Sequence, residues 1–284
     1  MALLHGVVLW CLLFTVALAA DDPPKPDETK DKEEKAARME HMKQAAKGYD
    51  IALASDEAKK LVLTEEPLLR FDDQVTGVVD GTLFVWLLDD LPTATASVWI
   101  RKTGHEFHEF QSLAAGALIA SNQGQPKWTP AQPGIERKLA PIAQPPAATA
   151  VGRLVQMRTF AREYTATVTA RAKDQQVLRL LPQPVYRYGQ PGGAVADGAI
   201  FAYCKGTNPE VLLLVEAVKD GKKLEWNYAF ARMTSRECDA RRDEKVIWSA
   251  SLTRREVPTD AYFNVVQRYK GPGATDNPPP DKNR

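Results

Sequence analysis

Cysteine is scarce in this chain: three of 284 residues, Cys11, Cys204 and Cys238. No Cys-x-x-Cys pair occurs, so dithiol redox chemistry has no site. Charge of one sign is lacking as well, with 37 Lys and Arg against 36 Asp and Glu and a net charge of +1. Such a chain has no overall field with which to attract nucleic acid, and no nucleic-acid partner is expected. There is no nucleophile elbow, Walker loop or dinucleotide fingerprint, and Gly192-Gly193 lacks the following Lys, Ser or helix that phosphate binding requires. The sequence therefore nominates no catalytic residue, no metal ligand and no cofactor.

One long apolar run is present. Residues 2–20 are almost wholly apolar and end in Ala17-Leu18-Ala19, the small-x-small pattern of a signal-peptidase site, with a charged run from Asp21 to Lys35 behind it. This predicts a signal peptide over 1–19 and an exported protein, periplasmic or extracellular, with no transmembrane span once the signal is cleaved. The n-region holds His5 but no Lys or Arg, which leaves an uncleaved anchor as the alternative. Cys11 has no convincing lipobox before it. In an oxidising compartment Cys204 and Cys238 are either bridged or two buried thiols.

The chain repeats itself. Residues 61–98 align without a gap on 178–215 and share Leu61, Leu63, Pro67, Arg70, Val78, Asp80, Gly81, Phe84, Pro92 and Val98 with their counterparts. The match continues at an offset of 120 residues, where Phe110 meets Phe230 and Trp128 meets Trp248, and backwards at 115, where Arg38, Met42, Ala46 and Tyr49 meet Arg153, Met157, Ala161 and Tyr164. Repetition on this scale predicts a tandem duplication of a unit of about a hundred residues.

Within each copy the hydrophobic period changes from helical to alternating. Met39, Met42, Ala45, Ala46 and Tyr49 make one face of a helix, and Val151, Leu154, Met157, Ala161 and Tyr164 its counterpart. Short apolar runs follow, parted by Asp80-Gly81 and Asp197-Gly198, which read as hairpin turns. One hairpin, Thr82–Leu88 with Thr95–Arg101, returns as Ala199–Cys204 with Val211–Val218. The expected fold class is α+β: a duplicated helix followed by a five- to six-stranded antiparallel meander, the two copies forming one curved sheet with a helical lid.

The expected order is a disordered linker at 20–34, a first repeat at 35–124, a Pro-rich linker at 125–146 and a second repeat at 147–250. A C-terminal strand or helix at 251–270 and a disordered tail at 271–284 complete it. Six prolines between 126 and 146 predict extended chain across the surface. Tyr262, Val265, Val266 and Tyr269 are spaced as on a helix.

The candidate binding residues are Arg70 and Arg187, each ten positions before an aspartate, and the aromatics Trp86 and Tyr203. A structural ion pair with Asp80 and with Asp197 is the competing reading of the arginines, and core packing that of the aromatics. His105-Glu106-Phe107-His108-Glu109 has one residue too few between its histidines for the helical zinc motif, and on a strand they face opposite ways. The cluster reads as exposed polar positions of a strand, absent from the second copy.

The runs Leu68-Leu69-Arg70-Phe71, Asp80-Gly81-Thr82-Leu83-Phe84, Arg153-Leu154-Val155-Gln156-Met157-Arg158 and Thr207-Asn208-Pro209-Glu210-Val211 resemble a family of uncharacterised exported proteins of planctomycete-type bacteria. That resemblance implies export and brings no activity. In order of elements the chain is similar to periplasmic lipoprotein carriers, in which helices lid a half-barrel. The expected function is a non-catalytic exported binding protein for an apolar ligand such as a lipid, or for an envelope protein partner. The alternatives are a hydrolase with its site at the junction of the repeats and a structural module of an envelope assembly.

Overall fold

The computed structural model describes residues 26–169, 174–253 and 257–274. The expected signal peptide and all but the first four residues of the expected tail lie outside them. Helix α1 (Pro26–Lys47) is followed by β1 (Tyr49–Leu53), β2 (Asp56–Lys60), β3 (Val62–Leu63), β4 (Leu69–Asp73), β5 (Val78–Leu88), β6 (Leu91–Arg101), β7 (His105–Ser112), β8 (Leu118–Asn122) and β9 (Gln125–Trp128). Next come β10 (Lys138–Leu139), α2 (Ala150–Ala161), β11 (Thr165–Thr169), β12 (Gln175–Val177), β13 (Arg179–Leu180) and β14 (Tyr186–Tyr188). The chain ends in β15 (Val195–Lys205), β16 (Asn208–Asp220), β17 (Lys223–Arg232), β18 (Cys238–Arg242), β19 (Lys245–Ala250) and β20 (Tyr262–Arg268).

The α+β expectation does not hold. The chain is 51% strand and 13% helical, and its strands form four antiparallel sheets rather than one curved sheet under a helical lid. Two sheets are four-stranded, β2-β1-β8-β9 and β12-β11-β18-β19. Two are six-stranded, β20-β7-β6-β5-β3 with β4 also on β5, and β10-β17-β16-β15-β13 with β14 also on β15.

Side-chain alternation explains the layering. In β15, Ala199, Phe201 and Tyr203 enter one core while Ile200, Ala202 and Cys204 enter another. In β16, Val211, Leu213 and Val215 part from Leu212 and Leu214 in the same way. A strand buried on both faces reads as a continuous apolar run, as Val211-Leu212-Leu213-Leu214-Val215 does. The middle core also takes Leu83 and Leu113, so the six-stranded sheets pack face to face. Each outer core lies between a six-stranded sheet and a four-stranded one. The first takes Met42 and Ala46 from α1, the second Met157, Phe160 and Ala161 from α2.

Asp80-Gly81 and Asp197-Gly198 are not turns but lie inside β5 and β15. A Cβ on Gly81 would stand 2.5 Å from the Phe71 ring, and one on Gly198 2.6 Å from the Tyr188 ring, so glycine is there to let an aromatic lie on the strand. The β5–β6 turn is instead Asp89 and Asp90, at φ of 50° and 62°, the two-residue form that matches strand twist.

Three further expectations are corrected. Residues 26–34, assigned to a disordered linker, are helical: Pro26 suits a first helical position, and Lys35–Asp31 and Gln44–Glu40 contacts support a helix with little apolar surface there. The Pro-rich segment does cross the surface, most of it exposed, but it is not merely extended chain: Pro130, Ile135 and Ala140 are buried as anchors, and Thr129 and Ala131 N–H donate to the Pro258 and Thr259 carbonyls. The run after Tyr262 is not helical but is strand β20, paired with β7 from Tyr262 opposite Gln111 to Arg268 opposite His105. The exposed edge of β7 supplies backbone partners that a helix would forgo. The last strand thus completes the first half's sheet, while β10 pairs with β17 of the second.

Candidate functional site

The repeated arginines are structural. Asp80 is buried and accepts from Arg70 Nε at 2.8 Å, Arg70 Nη2 at 2.5 Å and Arg38 Nε at 3.2 Å. Asp197 does the same with Arg187 Nε at 3.0 Å, Arg187 Nη2 at 2.7 Å and Arg153 Nε at 2.9 Å. The spare donors of Arg70 and Arg187 reach the Lys35 and Ala150 carbonyls, so each node ties a helix to a sheet. The two arginines do not share a cleft.

Trp86 and Tyr203 are each 1% exposed, and Tyr203 donates to the Ala161 carbonyl at 2.6 Å. Neither offers a stacking surface. Cys204 and Cys238 are free thiols in different cores, one on the middle-core side of β15 and the other facing the second outer core. No bridge joins them, and burial pushes both thiols up to about 12.

At the junction of the halves, where a hydrolase would have its site, the described residues leave a small cavity and, at its edge by Asp72 and Thr207, a cleft of about 290 Å³. The cavity beside Glu109, Glu210 and Asn264 measures about 80 Å³, space for a few waters. The carboxylates nearby are engaged: Glu109 accepts from Ser97 and Tyr262, and Glu216 from Tyr188 and Arg137.

What the structure does assemble is a polar chain in the first half. Glu106 and His108 lie two apart on β7, hence on the same face, and point toward α1 and β1. Tyr49 hydroxyl lies 2.6 Å from His108 Nδ1, His108 Nε2 lies 2.6 Å from Glu106 Oε1, and His41 Nε2 lies 2.8 Å from Glu106 Oε2. A carboxylate only accepts, so both Nε2 atoms carry a proton toward Glu106, and His108 Nδ1 is hydrogen-bonded to the Tyr49 hydroxyl. Glu106 and His108 are 2% and 4% exposed, which corrects the expectation of exposed polar positions. Burial pushes the Glu106 carboxyl up, but hydrogen bonds from His108 and His41 outweigh it and hold the group at about 2. Burial beside that carboxylate pushes the Tyr49 hydroxyl well above its ordinary value.

This chain forms the floor of a cleft of about 520 Å³, with walls that include Gln44, Asn122, Gln125, Lys127 and Gln267. A cleft in the corresponding place of the second half, about 440 Å³, has Ile142, Val155 and Phe160 in its walls. Strand register makes the correspondence explicit. Asp80, Ile100 and Glu106 stand side by side across β5, β6 and β7, as Asp197, Ala217 and Trp226 do across β15, β16 and β17. Val98 with His108 likewise answers Val215 with Tyr228. Where the first half buries Glu106 and His108, the second buries Trp226 and stacks Tyr228 on Tyr164.

Sequence reasoning missed this site because His41 and Tyr49 read only as helix-face positions and the Glu-x-His of β7 as solvent-facing. The spacing Glu106-x-His108 on a strand, with Trp226 and Tyr228 at the aligned positions, was the available signal. Comparison with protein-family models, curated proteins and solved structures finds no match to this chain. Among the described residues no helix is long and apolar enough to cross a membrane.

Proposed function

We propose that this protein binds a small polar molecule in the cleft over Tyr49, Glu106, His108 and His41, and that it does so as an exported binding protein. Export rests on the apolar run ending at Ala17-Leu18-Ala19. The observation that carries the binding reading is the contrast between corresponding positions. Burying a carboxylate and an imidazole costs several kcal/mol before partners compensate, whereas in the second half Trp226 and Tyr228 fill the same places with aromatic rings, at the smaller cost of one buried indole N–H without a partner. Residues that the fold does not need, gathered beneath an open cleft, are those of a site.

Recognition fits this geometry better than catalysis. Both nitrogens of His108 are engaged within the protein, so no lone pair is left for a substrate proton. Tyr49, held protonated by burial, is not an activated nucleophile. Gln44, Asn122, Gln125, Lys127 and Gln267 give the mixed walls hydrogen-bonding groups that a polar ligand would use, beside the apolar Ala45 and Val265.

The test is thermal stabilisation of the full chain by a panel of small sugars, amino acids, organic acids and fatty acids, repeated on Gln44→Trp. Gln44 is exposed on α1 at the cleft wall, so the indole fills the cleft without touching the core. A polar compound at about a hundred times its Kd should add about 3 kcal/mol, and Gln44→Trp should abolish that gain. Stabilisation by fatty acids alone, or gains that Gln44→Trp leaves intact, would overturn the reading.

A further inference from the structure

The two four-stranded sheets end in corresponding edge strands that are finished differently. At the offset that sets Trp128 on Trp248, β9 answers β19, and each is the last strand of its sheet. β9 carries Pro126, which has no backbone N–H to offer, and Lys127, which brings a charge; both keep a free edge from pairing with another strand. The chain just past β9 is covered, since Thr129 and Ala131 N–H donate to the Pro258 and Thr259 carbonyls and Trp128 Nε1 to the Asp260 carbonyl. The other edge of that sheet, β2, reads Asp56-Glu57-Ala58-Lys59-Lys60 and is guarded by charge. β19 has neither device: Val246 and Ile247 stand where β9 has Pro126 and Lys127. Val246 is 46% exposed, Leu252 just past the strand is 74% exposed, and Trp248 is partly exposed where Trp128 is buried.

We infer that β19 is a dimerisation edge and that its occupant is β19 of a second copy, running antiparallel to it about a two-fold axis, so that two four-stranded sheets become one continuous sheet. An edge strand leaves a row of N–H and C=O groups unpaired, and a second strand with the same free edge supplies the matching row. Charge favours a second copy as that strand. Lys245 is the one charged residue of β19 and stands at its first position, so antiparallel pairing sets the two ammonium groups at opposite ends. The same pairing lays the Val246 end of one copy along the Leu252 end of the other, which takes apolar surface that is now wet out of water. A two-fold contact of this kind is closed: it uses both edges, and assembly stops at the dimer. One strand pair is a small interface, so association is weak, with a Kd of about 10 to 100 μM. The inference is independent of the cleft in the first half, which lies on other strands.

The test is sedimentation equilibrium of the full chain from about 1 to about 300 μM. The mass should rise from the 31.4 kDa of one chain toward twice that value and no further. Val246→Pro installs the residue of β9 at the aligned position, opposite Arg241 as Pro126 is opposite Ser121. Val246→Lys/Leu252→Lys places charge at two exposed positions. Each variant should weaken association about tenfold or more. Both alter exposed side chains, so at about 1 μM each should melt within a few degrees of the parent. If Val246→Pro melts lower, the lysine variant decides. A single chain throughout the range, association that the lysine variant leaves intact, or growth past two chains would each overturn the inference, and the first would leave the edge to a strand of a different protein.

Discussion

Glu106 and Trp226 occupy the same place in two different sheets. Each stands at the third strand of a row that begins with a doubly bonded aspartate, Asp80 or Asp197. One is a buried carboxylate between two imidazoles and the other a buried indole. The same backbone position accommodates either side chain, so the fold does not require a carboxylate there.

That carboxylate makes stability depend on acid. Glu106 is held at about 2 in the folded state against an ordinary 4.5. A depressed carboxyl contributes stability that is complete above its unfolded value and is lost as pH falls toward its folded value. Between about pH 5 and pH 2 the chain should lose about 3 kcal/mol through this group. Glu106→Gln, followed by urea denaturation across that range, should flatten the profile by that amount.

Tyr49→Phe removes one hydroxyl and no volume. It leaves His108 Nδ1 without its partner at 2.6 Å, so the loss should be about 1 to 3 kcal/mol in chemical denaturation at neutral pH.

The two arginines on each aspartate are not equivalent. Arg38 has a side chain 10% exposed and Arg70 one 37% exposed, both on Asp80. Removing the half-exposed Arg70 lets water approach the buried Asp80, which keeps Arg38, and should cost about 1 kcal/mol or less. Arg38→Met should cost more, about 3 kcal/mol, because its contact is the buried one and it anchors α1. Equal losses in the two variants would show that burial does not decide their contributions.

Gly81→Ala and Gly198→Ala should each cost about 1 to 3 kcal/mol, since the new methyl would stand 2.5 Å from the Phe71 ring or 2.6 Å from the Tyr188 ring, well inside van der Waals contact. Replacing the facing aromatic by leucine in the same chain should recover part of that loss. A turn role for these glycines predicts no such rescue.

The hairpin β5–β6 and its counterpart β15–β16 were legible because their apolar runs flank short polar turns. The pairs Arg70–Asp80 and Arg187–Asp197 were legible as structural ion pairs from their ten-residue spacing. The number of sheets was not, because alternation is invisible in a strand such as β16 that buries both faces. Tyr262, Val265, Val266 and Tyr269 fit a helical period as well as the strand they form, and only the open edge of β7, far away in sequence, decides between them. The site was hidden for a similar reason. His41, Tyr49, Glu106 and Gln267 come from α1, β1, β7 and β20, and no local window contains them together.

The central claim is that the polar chain beneath the cleft serves binding and not folding, and one calorimetric melt tests it. In the variant His41→Gln/Glu106→Trp/His108→Tyr the first half carries the residues of the second at all three places. The account predicts a melting temperature at or above that of the parent without ligand, and no upward shift on adding the polar ligand that stabilises the parent. A cooperative melt lost or lowered by about 10 °C or more, or a ligand-induced shift equal to the parent's, would contradict it.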